Sequence, residues 1–414
     1  MQKINARGLL TRVAAIAAGF VCLSAAAAEF GEHRLTFGGF ATVGAMYHDA
    51  EGLEYRRSVG QPDGAKAGQL NFATDTLAGL QVNAAWNQQL EVVAQVVSKH
   101  STEADWWPRL TRGFVRYVPD ESIMLRAGRI GSEIFPHADS SDIGYSYLTI
   151  RPPVELFGQL PHDDLDGVDL ILTRPIGPGI GHIKIYGGRA NGKIAEPDGS
   201  SVDLGGSKIW GGYFEYLQGG WDARLGIGWF LVGHPPSLDP LINGLRQTGQ
   251  PQAQALAEEF ARKGRRYEFI TGGLTYDEGP VQARLFLLQI NSESVIGPKT
   301  LIGTTTIGYN LGIFTPYTAL SRAHNYAYQQ FTGLPNTPQT APLIAGAYAV
   351  QVANQTNQSS VALGLRYDVA PKMDIKFQID YLWLNNSDMV FDRNTPPRDR
   401  AQMMVFGIAF DIIF

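Results

Sequence analysis

Long segments of this chain alternate apolar and polar side chains with a period of two. In MDIKFQIDYLWL (373–384), one set of alternate positions is apolar or aromatic, whereas the other carries Asp374, Lys376 and further polar residues. WDARLGIGWFL repeats the pattern, with Trp221 and Trp229 on its apolar face. A period of two places successive side chains on opposite faces of a β-strand. These segments therefore predict strands that have one apolar and one polar face.

The length of these strands indicates a membrane. Trp221 and Trp229 are eight residues apart, which is about 26 Å along a strand and about 20 Å after a tilt of roughly 40°. That spacing is close to the distance between the two aromatic girdles of a barrel that spans an outer membrane. Beyond residue 28 no stretch approaches 18 consecutive apolar residues, so membrane-spanning helices are excluded. A soluble β-sandwich would need far shorter strands. The predicted fold is an all-β, transmembrane antiparallel β-barrel.

The first 28 residues have the pattern of a cleaved signal peptide. Lys3, Arg7 and Arg12 precede an uncharged segment that ends in small residues at Ala28. The alternative, a membrane-spanning helix, is too short and too weakly apolar to cross a core of about 30 Å. We therefore expect cleavage after residue 28 and one barrel domain over residues 29–414. The single cysteine, Cys22, lies in the cleaved part, so the exported chain is not a disulfide-stapled scaffold.

Turn and loop signals predict the number of strands. Short breaks occur near residues 87–89, 119–121, 174–181, 218–220, 277–279, 312–313 and 370–372, and long polar breaks near residues 48–68, 99–110, 131–165, 189–206, 232–265, 290–299, 322–358 and 385–400. Seven short turns that alternate with eight long loops require sixteen strands, and an even number is usual for such barrels. The turn near residue 312 is the weakest signal, so fourteen and eighteen strands stay open.

Several segments give the chain a resemblance to a known family. The opening strand LTFGGFATVGAMY, the run RGFVRYVPDESIMLRAGRIG and the terminal phenylalanine resemble those of the Gram-negative general porins. The resemblance implies a sixteen-stranded diffusion channel in the outer membrane, surrounded by lipid and lipopolysaccharide and assembled as a homotrimer. It also implies that the barrel-assembly machinery reads the end of the last strand, where Phe410, Ile412 and Phe414 share one face.

The resemblance further implies a narrow point in the pore. In porins the long third loop folds into the lumen, and here that loop covers about residues 131–165. Strand parity places Arg112, Arg116 and Arg126 on the polar, inward face. Facing them, we expect a set of loop acids: Asp139, Asp142, Glu155, Asp163 and Asp164. A basic wall opposite an acidic loop would create a transverse field that sorts small polar solutes. The alternative is that these charges only fasten the loop to the wall.

The same resemblance does not give the solute. The loop lacks the acidic tip motif that follows the Gly-Arg pair in general porins, so their substrate preference cannot be transferred. The net charge of −5 argues against a nucleic-acid partner. The eight histidines lack metal-ligand spacing and there is no G-x-S-x-G elbow, so we expect no enzyme activity, metal or cofactor.

Two of the long loops are unusual. In the fifth loop, Ala253, Leu256, Ala257 and Phe260 recur at helical spacing, which predicts one or two short helices within residues 237–262. In the seventh loop, TAPLIAGAYAVQVANQ is too apolar for a solvent-exposed segment, and we expect it to pack inside the barrel or on a neighbouring subunit. A receptor surface on such loops would make the protein a binding or adhesion module, which is the alternative to a channel.

Overall fold

The computed structural model describes residues 27–30, 33–134, 138–159, 164–233, 238–261, 266–293, 299–326, 334–352, 356–387, 389–392 and 400–414. Sixteen long strands form one antiparallel sheet. They are β1 His33–His48, β2 Leu77–Ala85, β3 Leu90–Lys99, β4 Arg109–Asp120, β5 Ile123–Gly131, β6 Asp164–Ile176, β7 Gly179–Ala190, β8 Ser207–Gln218, β9 Trp221–Leu231, β10 Arg266–Glu278, β11 Val281–Ser292, β12 Thr300–Tyr309, β13 Phe314–Asn325, β14 Thr356–Ala370, β15 Met373–Ser387 and β16 Arg400–Ile413.

The sheet closes on itself between its first and last strands. Strand β1 pairs with β2, and its other edge pairs with β16, where Phe40 lies opposite Ile413. The predicted sixteen-stranded barrel is therefore confirmed. A short strand, Ala27–Phe30, pairs antiparallel with the beginning of β1. It lies across the expected cleavage site, and cleavage itself stays a prediction.

Side chains alternate between the two faces of the wall as predicted. On β15, Phe377 and Ile379 are exposed on the outside, whereas Asp374 and Lys376 are completely buried on the inside. On β9, Leu225 is exposed and Arg224 is buried. The apolar face thus surrounds the barrel, and charged side chains point into it.

The seven short turns match the predicted positions. Four of them contain a glycine in the left-handed region that lets a chain reverse tightly, at Gly177, Gly219, Gly279 and Gly312. The turn after β14 uses Lys372 with φ of 69° instead. Gly312, with φ of 83°, lies in the turn whose signal was weakest, so that turn is real.

The eight long connections all lie at the other end of the barrel. We number them loop 1 to loop 8, and they cover residues 49–76, 100–108, 132–163, 191–206, 232–265, 293–299, 326–355 and 388–399. Leu53–Tyr55 and Ala65–Lys66 of loop 1 form a small sheet with Val390–Asp392 of loop 8. In loop 4, Lys193–Ala195 pairs with Ser201–Asp203.

The described helices belong to these loops, and two of them are short 3₁₀ helices of loop 3, Ala138–Ser140 and Gly144–Ser146. The others are α-helices. They are α1 Val154–Phe157 in loop 3, α2 Asp239–Gln247 and α3 Pro251–Ala261 in loop 5, and α4 Ala341–Val352 in loop 7. Within the described part of the chain, none of them has the length and apolar character needed to cross a membrane.

The helices of loops 5 and 7 share one small core. The predicted apolar stripe of α3 is buried, and it packs with Leu245 of α2 and Ala347 of α4. The buried residues of this core all belong to loops 5 and 7, so the expectation that loop 7 packs inside the barrel is wrong for α4. Packing on a neighbouring subunit stays a prediction, and Tyr348 of α4 is exposed. The helices of loop 5 are a partner on a separate loop, which sequence spacing cannot reveal.

The interior of the barrel is not uniformly polar. One buried apolar cluster joins inward residues of β5 to β13 with Ile134 and Leu156 of loop 3. A second joins β1, β15 and β16 with loops 1, 3 and 8, and it contains Met46, Val154 and Met403. The half of the lumen nearest the long loops is thus packed over much of its circumference, while β2 to β4 contribute no buried residue to either cluster.

Candidate functional site

A row of four charged side chains crosses the inner wall at one level. The strand register places Glu91 of β3 opposite Arg116 of β4, Arg116 opposite Arg126 of β5, and Arg126 opposite Asp169 of β6. Arg116 Nη2 lies 2.6 Å from Glu91 Oε2. Arg126 Nη2 lies 2.6 Å from Asp169 Oδ2. The two arginines lie between two carboxylates, because the alternation along each strand points all four side chains inward.

Loop 3 adds a carboxylate to this row. Asp139 Oδ2 accepts a hydrogen bond of 2.7 Å from Arg126 Nη1, and its Oδ1 lies 3.4 Å from Arg112 Nε. Burial alone would raise the pKa of Asp139, but the charges of Arg126 and Arg112 outweigh burial and lower it to about 2. The carboxylate is therefore ionised across the physiological pH range, and the predicted contact between this loop and the arginine wall exists at Asp139.

These side chains surround an open cavity of about 350 Å³. Polar lining comes from Gln81 and Asn83 of β2, together with the charges already described, and Val93, Phe114 and Met124 supply apolar surface. Three cationic and two anionic side chains line the space, namely Arg112, Arg116 and Arg126 against Glu91 and Asp139. The cavity lies against β2 to β5. A separate small apolar cluster joins Leu77 of β2 and Val97 of β3 to Phe40 of β1.

The other predicted loop acids lie elsewhere. Asp142 pairs with Lys99 of β3 at 2.8 Å, so it does not oppose the arginines. Asp164, the first residue of β6, pairs with Arg109. Glu155, in α1, is buried and accepts a hydrogen bond of 2.8 Å from Gln358 of β14. Asp163 is outside the described residues. The prediction that these acids form one face opposite the arginines is wrong at Asp142, Glu155 and Asp164, because loop 3 turns several times and sends them to different walls.

A second buried charge network lies next to the cavity, and sequence analysis missed it. Glu133 of loop 3 accepts a hydrogen bond of 2.5 Å from Lys184 of β7, which also lies 3.1 Å from Asp169. Arg224 of β9 donates to the carbonyl oxygen of Glu133 at 2.8 Å, and its guanidinium stacks 3.4 Å from the ring of Tyr213. Strand parity places Lys184 and Arg224 inward, so parity was the signal that could have found them.

Cations of the far wall hold the backbone of loop 3. Lys376 Nζ donates to the Gly144 carbonyl oxygen at 2.7 Å, and Arg366 Nη1 donates to that of Tyr145 at 2.9 Å. Arg284 of β11 reaches the carbonyl of Ser146 at 3.3 Å. Lys376 is itself paired with Asp411 of β16 at 3.0 Å. Three successive carbonyls of the loop are thus fastened to three strands opposite the arginine row.

Arg151 fastens the later part of loop 3. Its guanidinium binds both carboxylate oxygens of Asp75 at 2.7 Å and lies 3.2 Å from Asp380 of β15. Burial would by itself raise the pKa of Asp75, but the charge of Arg151 lowers it below its ordinary value. Fully buried and bidentate, this ion pair joins loops 1 and 3.

The end of the chain lies at the closure of the barrel. Phe414 and Gly39 of β1 exchange two backbone hydrogen bonds, of 3.0 and 3.1 Å. The ring of Phe414 covers the Cα of Gly39 so closely that a Cβ there would overlap it. Ile412 is buried and Phe410 half-buried, whereas Phe406 and Ile408 are exposed on the outside. Their role in assembly stays a prediction.

Among the residues that the structure describes, no group of three or more histidine, cysteine, aspartate or glutamate side chains is arranged to hold an ion.

Comparison with known proteins identifies the class of fold. OmpF from Salmonella typhi, solved with daunomycin, superposes with a TM-score of 0.54 at 12% identity, covering 94% of this chain and 100% of OmpF. The anion-selective porin of Comamonas acidovorans gives 0.51 at 12% identity, covering 92% and 100%. The outer membrane channel DcaP of Acinetobacter baumannii gives 0.51 at 11% identity, covering 93% and 99%.

The chain therefore has the fold of the sixteen-stranded porins. No protein-family model matches its sequence, and no curated protein matches it either. At 11–12% identity, the likeness carries the fold and leaves the solute and the residues that select it to be argued from this chain.

Proposed function

We propose that this protein is an outer-membrane porin, a passive diffusion channel for small hydrophilic solutes and ions. The observation that carries the proposal is the cavity beside the charged row of β3 to β6. It combines open space with charges of both signs. Much of the remaining lumen at the level of loop 3 is packed by apolar clusters and buried ion pairs.

The proposed route is off-centre and follows β2 to β5. Loop 3 folds into the lumen and contributes Asp139, which contacts Arg126 directly and lies 3.4 Å from Arg112. Arg116 and Glu91 complete the charged lining of the route. Charges of both signs beside a narrow, partly apolar space give a strong local field, because little water screens them. The route has one more cation than anion in its lining, so we expect a weak preference for anions.

The proposed setting rests on the N-terminal sequence pattern, the barrel fold and the resemblance to porins. Residues 1–28 direct export and are removed, and the barrel lies in the outer membrane of a Gram-negative bacterium with its long loops outside. The barrel-assembly machinery reads the terminal strand, and the subunits form homotrimers among lipid and lipopolysaccharide. No enzymatic activity, metal or cofactor is required for this function.

Single-channel recording in planar bilayers tests the proposal. Purified barrel should give stable conducting steps, and a tenfold salt gradient should give a zero-current potential on the anion-selective side. The alternative is a closed barrel that acts as a surface-binding or adhesion protein through the helices of loops 5 and 7. A correctly folded barrel without any conducting steps would contradict the channel and favour that alternative.

A further inference from the structure

Four uncharged polar side chains form a continuous line of hydrogen bonds across the inner wall of β2 to β4. The Thr111 hydroxyl of β4 donates to Gln95 Oε1 of β3 at 2.9 Å. The Gln95 amide donates to Gln81 Oε1 of β2 at 3.0 Å, and the Gln81 amide donates to Asn83 Oδ1 at 2.9 Å. We call these four residues the side-chain relay. It ends at the open cavity, because Gln81 and Asn83 line that space.

The relay begins at a β-bulge. The strand register pairs Gln95 with Arg112 and Val96 with Leu110, so Thr111 is an extra residue on β4. A bulge changes the direction of side chains on its strand. Thr111 and Arg112 are both buried on the inward face, where regular alternation would place only one of them. The bulge therefore supplies the hydroxyl that starts the relay.

All hydrogen bonds of the relay have the same direction. Gln95 and Gln81 each accept through the amide oxygen and donate through the amide nitrogen. At the end of the relay Asn83 accepts through Oδ1, so its Nδ2 keeps two N–H groups for other acceptors. Among the described residues, that nitrogen has no protein acceptor. The relay thus turns the donor side of the Asn83 amide away from Gln81 and towards the cavity.

The cavity combines this amide with a guanidinium group and an apolar surface. The register places Asn83 opposite Val93, and Val93 opposite Phe114. Arg116 is two residues beyond Phe114 on β4, and its side chain is 41% exposed although it pairs with Glu91. N–H donors of two kinds therefore lie beside the apolar pair formed by Val93 and Phe114.

These features fit a small aliphatic carboxylate. Its oxygens accept hydrogen bonds from amide and guanidinium N–H groups, and such charge-assisted bonds are stronger than neutral ones. Its hydrocarbon part displaces water from the apolar surface. A halide ion has the same charge but no hydrocarbon part, so it gains less from this lining.

We propose that the channel prefers small aliphatic carboxylates to halides and that Asn83 is the residue that selects them. Thr111 is a positioning residue, since it sets the direction of the relay that orients the Asn83 amide. The inference rests on the proposed channel function, and it adds the class of solute and the residue that recognises it.

Bi-ionic recording in planar bilayers tests the proposal. With sodium propionate on one side and sodium chloride on the other, the zero-current potential gives the permeability ratio of propionate to chloride. Asn83→Leu removes the donors at similar volume. Thr111→Val removes the hydroxyl with the same shape, and Thr111→Ser keeps it. The matched control is Asn291→Leu, because Asn291 accepts a bond of 3.0 Å from Gln289 on the outward face of β11.

The unaltered barrel should show a propionate-to-chloride ratio above the ratio of the two mobilities in water. In Asn83→Leu the ratio should fall about fivefold, which corresponds to one hydrogen bond of typical net strength. Thr111→Val should lower the ratio in the same direction. Thr111→Ser and the Asn291→Leu control should keep the ratio of the unaltered protein.

Four results would overturn the proposal or part of it. An unchanged ratio in Asn83→Leu, or an equal fall in the control, would remove Asn83 as the selecting residue. A higher ratio in Asn83→Leu would mean that the amide presents its oxygen to the solute. A normal ratio in Thr111→Val would overturn the positioning role. Absence of conducting steps from the unaltered barrel would contradict the channel itself, and so it is distinguishable from these results.

Discussion

At the scale of single residues, Asp139 connects the loop to the arginine wall. It is the acid that two guanidinium groups share, at 2.7 and 3.4 Å, and it stays half-exposed to the cavity. The alternation of side chains along β4 and β5 was sufficient to place Arg112 and Arg126 on the inward face. No periodicity exists in loop 3, so the sequence could supply five candidate acids without showing that one of them is the partner.

Replacing this carboxylate should change ion selectivity. In Asp139→Asn the cavity lining changes from three cations and two anions to three cations and one anion. Charges a few ångströms apart interact by about 1–2 kcal/mol in a partly screened site, so relative permeability should move several-fold towards anions. The measurement is the zero-current potential in a salt gradient, and Asp198→Asn in loop 4 is the control because that acid is remote from the cavity lining.

The carboxylate of Asp139 also determines how selectivity depends on pH. Its pKa is lowered to about 2, so the carboxylate keeps its charge as pH falls from 7 to 4 and loses it only near pH 2. The difference in selectivity between the unaltered barrel and Asp139→Asn should therefore be constant between pH 7 and 4. A shift centred near pH 4 that disappears in Asp139→Asn would contradict this reading of the site.

At the scale of elements, loop 3 is held by backbone carbonyls as much as by its charges. The cations that hold it come from β11, β14 and β15, which are far from it in sequence. Sequence analysis predicted the length of the loop and one wall contact correctly. It could not predict the carbonyl contacts, because a carbonyl acceptor is the same for every residue type and leaves no pattern.

Removing one of these cations should loosen loop 3 and destabilise the barrel. In Lys376→Met, the buried carboxylates of Asp374 and Asp411 lose a cation and the Gly144 carbonyl loses its donor. An uncompensated buried charge typically costs about 3–5 kcal/mol. Denaturant unfolding should show that loss and single channels should become noisier, whereas Lys372→Met in an exposed turn should behave as the unaltered protein. Equal stability of the two variants would refute the fastening role.

Loops 1 and 2 are joined by a contact that depends on pH. The ring of His100 lies 2.8 Å from both Asp63 and Asp105. Burial would lower the pKa of His100, but hydrogen bonds and charge from these two acids outweigh burial and raise it above its ordinary value. The stabilisation is therefore complete below about pH 6.5 and is lost as pH rises through the raised pKa.

Hydrogen exchange at loop 2 measures this dependence. The amide of Trp106 donates to the Lys99 carbonyl and reports whether the loop is closed. Corrected for intrinsic rates, its protection should fall as pH rises above about 6.5 in the unaltered protein and stay constant in His100→Gln. Because both acids are exposed, the change should be modest. If the protection of Trp106 depended on pH in the same way in both proteins, His100 would not be the cause of the pH dependence.

At the scale of the whole molecule, strand number and interior packing were predictable to different degrees. Each strand is predicted by its own alternation of apolar and polar residues, and each turn by its local residues. The count of sixteen strands therefore needed no tertiary information. The packed half of the lumen is different. Ile134 and Met403 look like ordinary inward or loop residues, and only the path of loops 1, 3 and 8 brings them into apolar clusters. The alternation along the strands shows only which side chains point inward, so by itself it predicts a water-filled interior.

The closure between β1 and β16 gives the last prediction, because Gly39 and the ring of Phe414 are in close contact at one end of it. A Cβ at Gly39 would overlap the ring of Phe414 and would lie 2.9 Å from the Gly79 carbonyl oxygen, which cannot rotate away. Gly39→Val should therefore lower the yield of folded barrel in refolding from denaturant, at a cost of about 1–3 kcal/mol. Gly272→Val is the control, since a Cβ there meets its nearest neighbour at an ordinary 3.6 Å.

Phe414 has two proposed roles: its ring stabilises the closure of the barrel, and the assembly machinery recognises it. Refolding of the purified chain tests the first role alone, because that system contains no assembly machinery. If the ring stabilises the closure, Phe414→Ala should be less stable in vitro by about 1–2 kcal/mol, in line with the loss of a partly buried aromatic side chain. It should also reach the outer membrane at lower levels in cells. Full stability in vitro with reduced levels in cells would restrict Phe414 to recognition, and normal behaviour in both assays would contradict both roles.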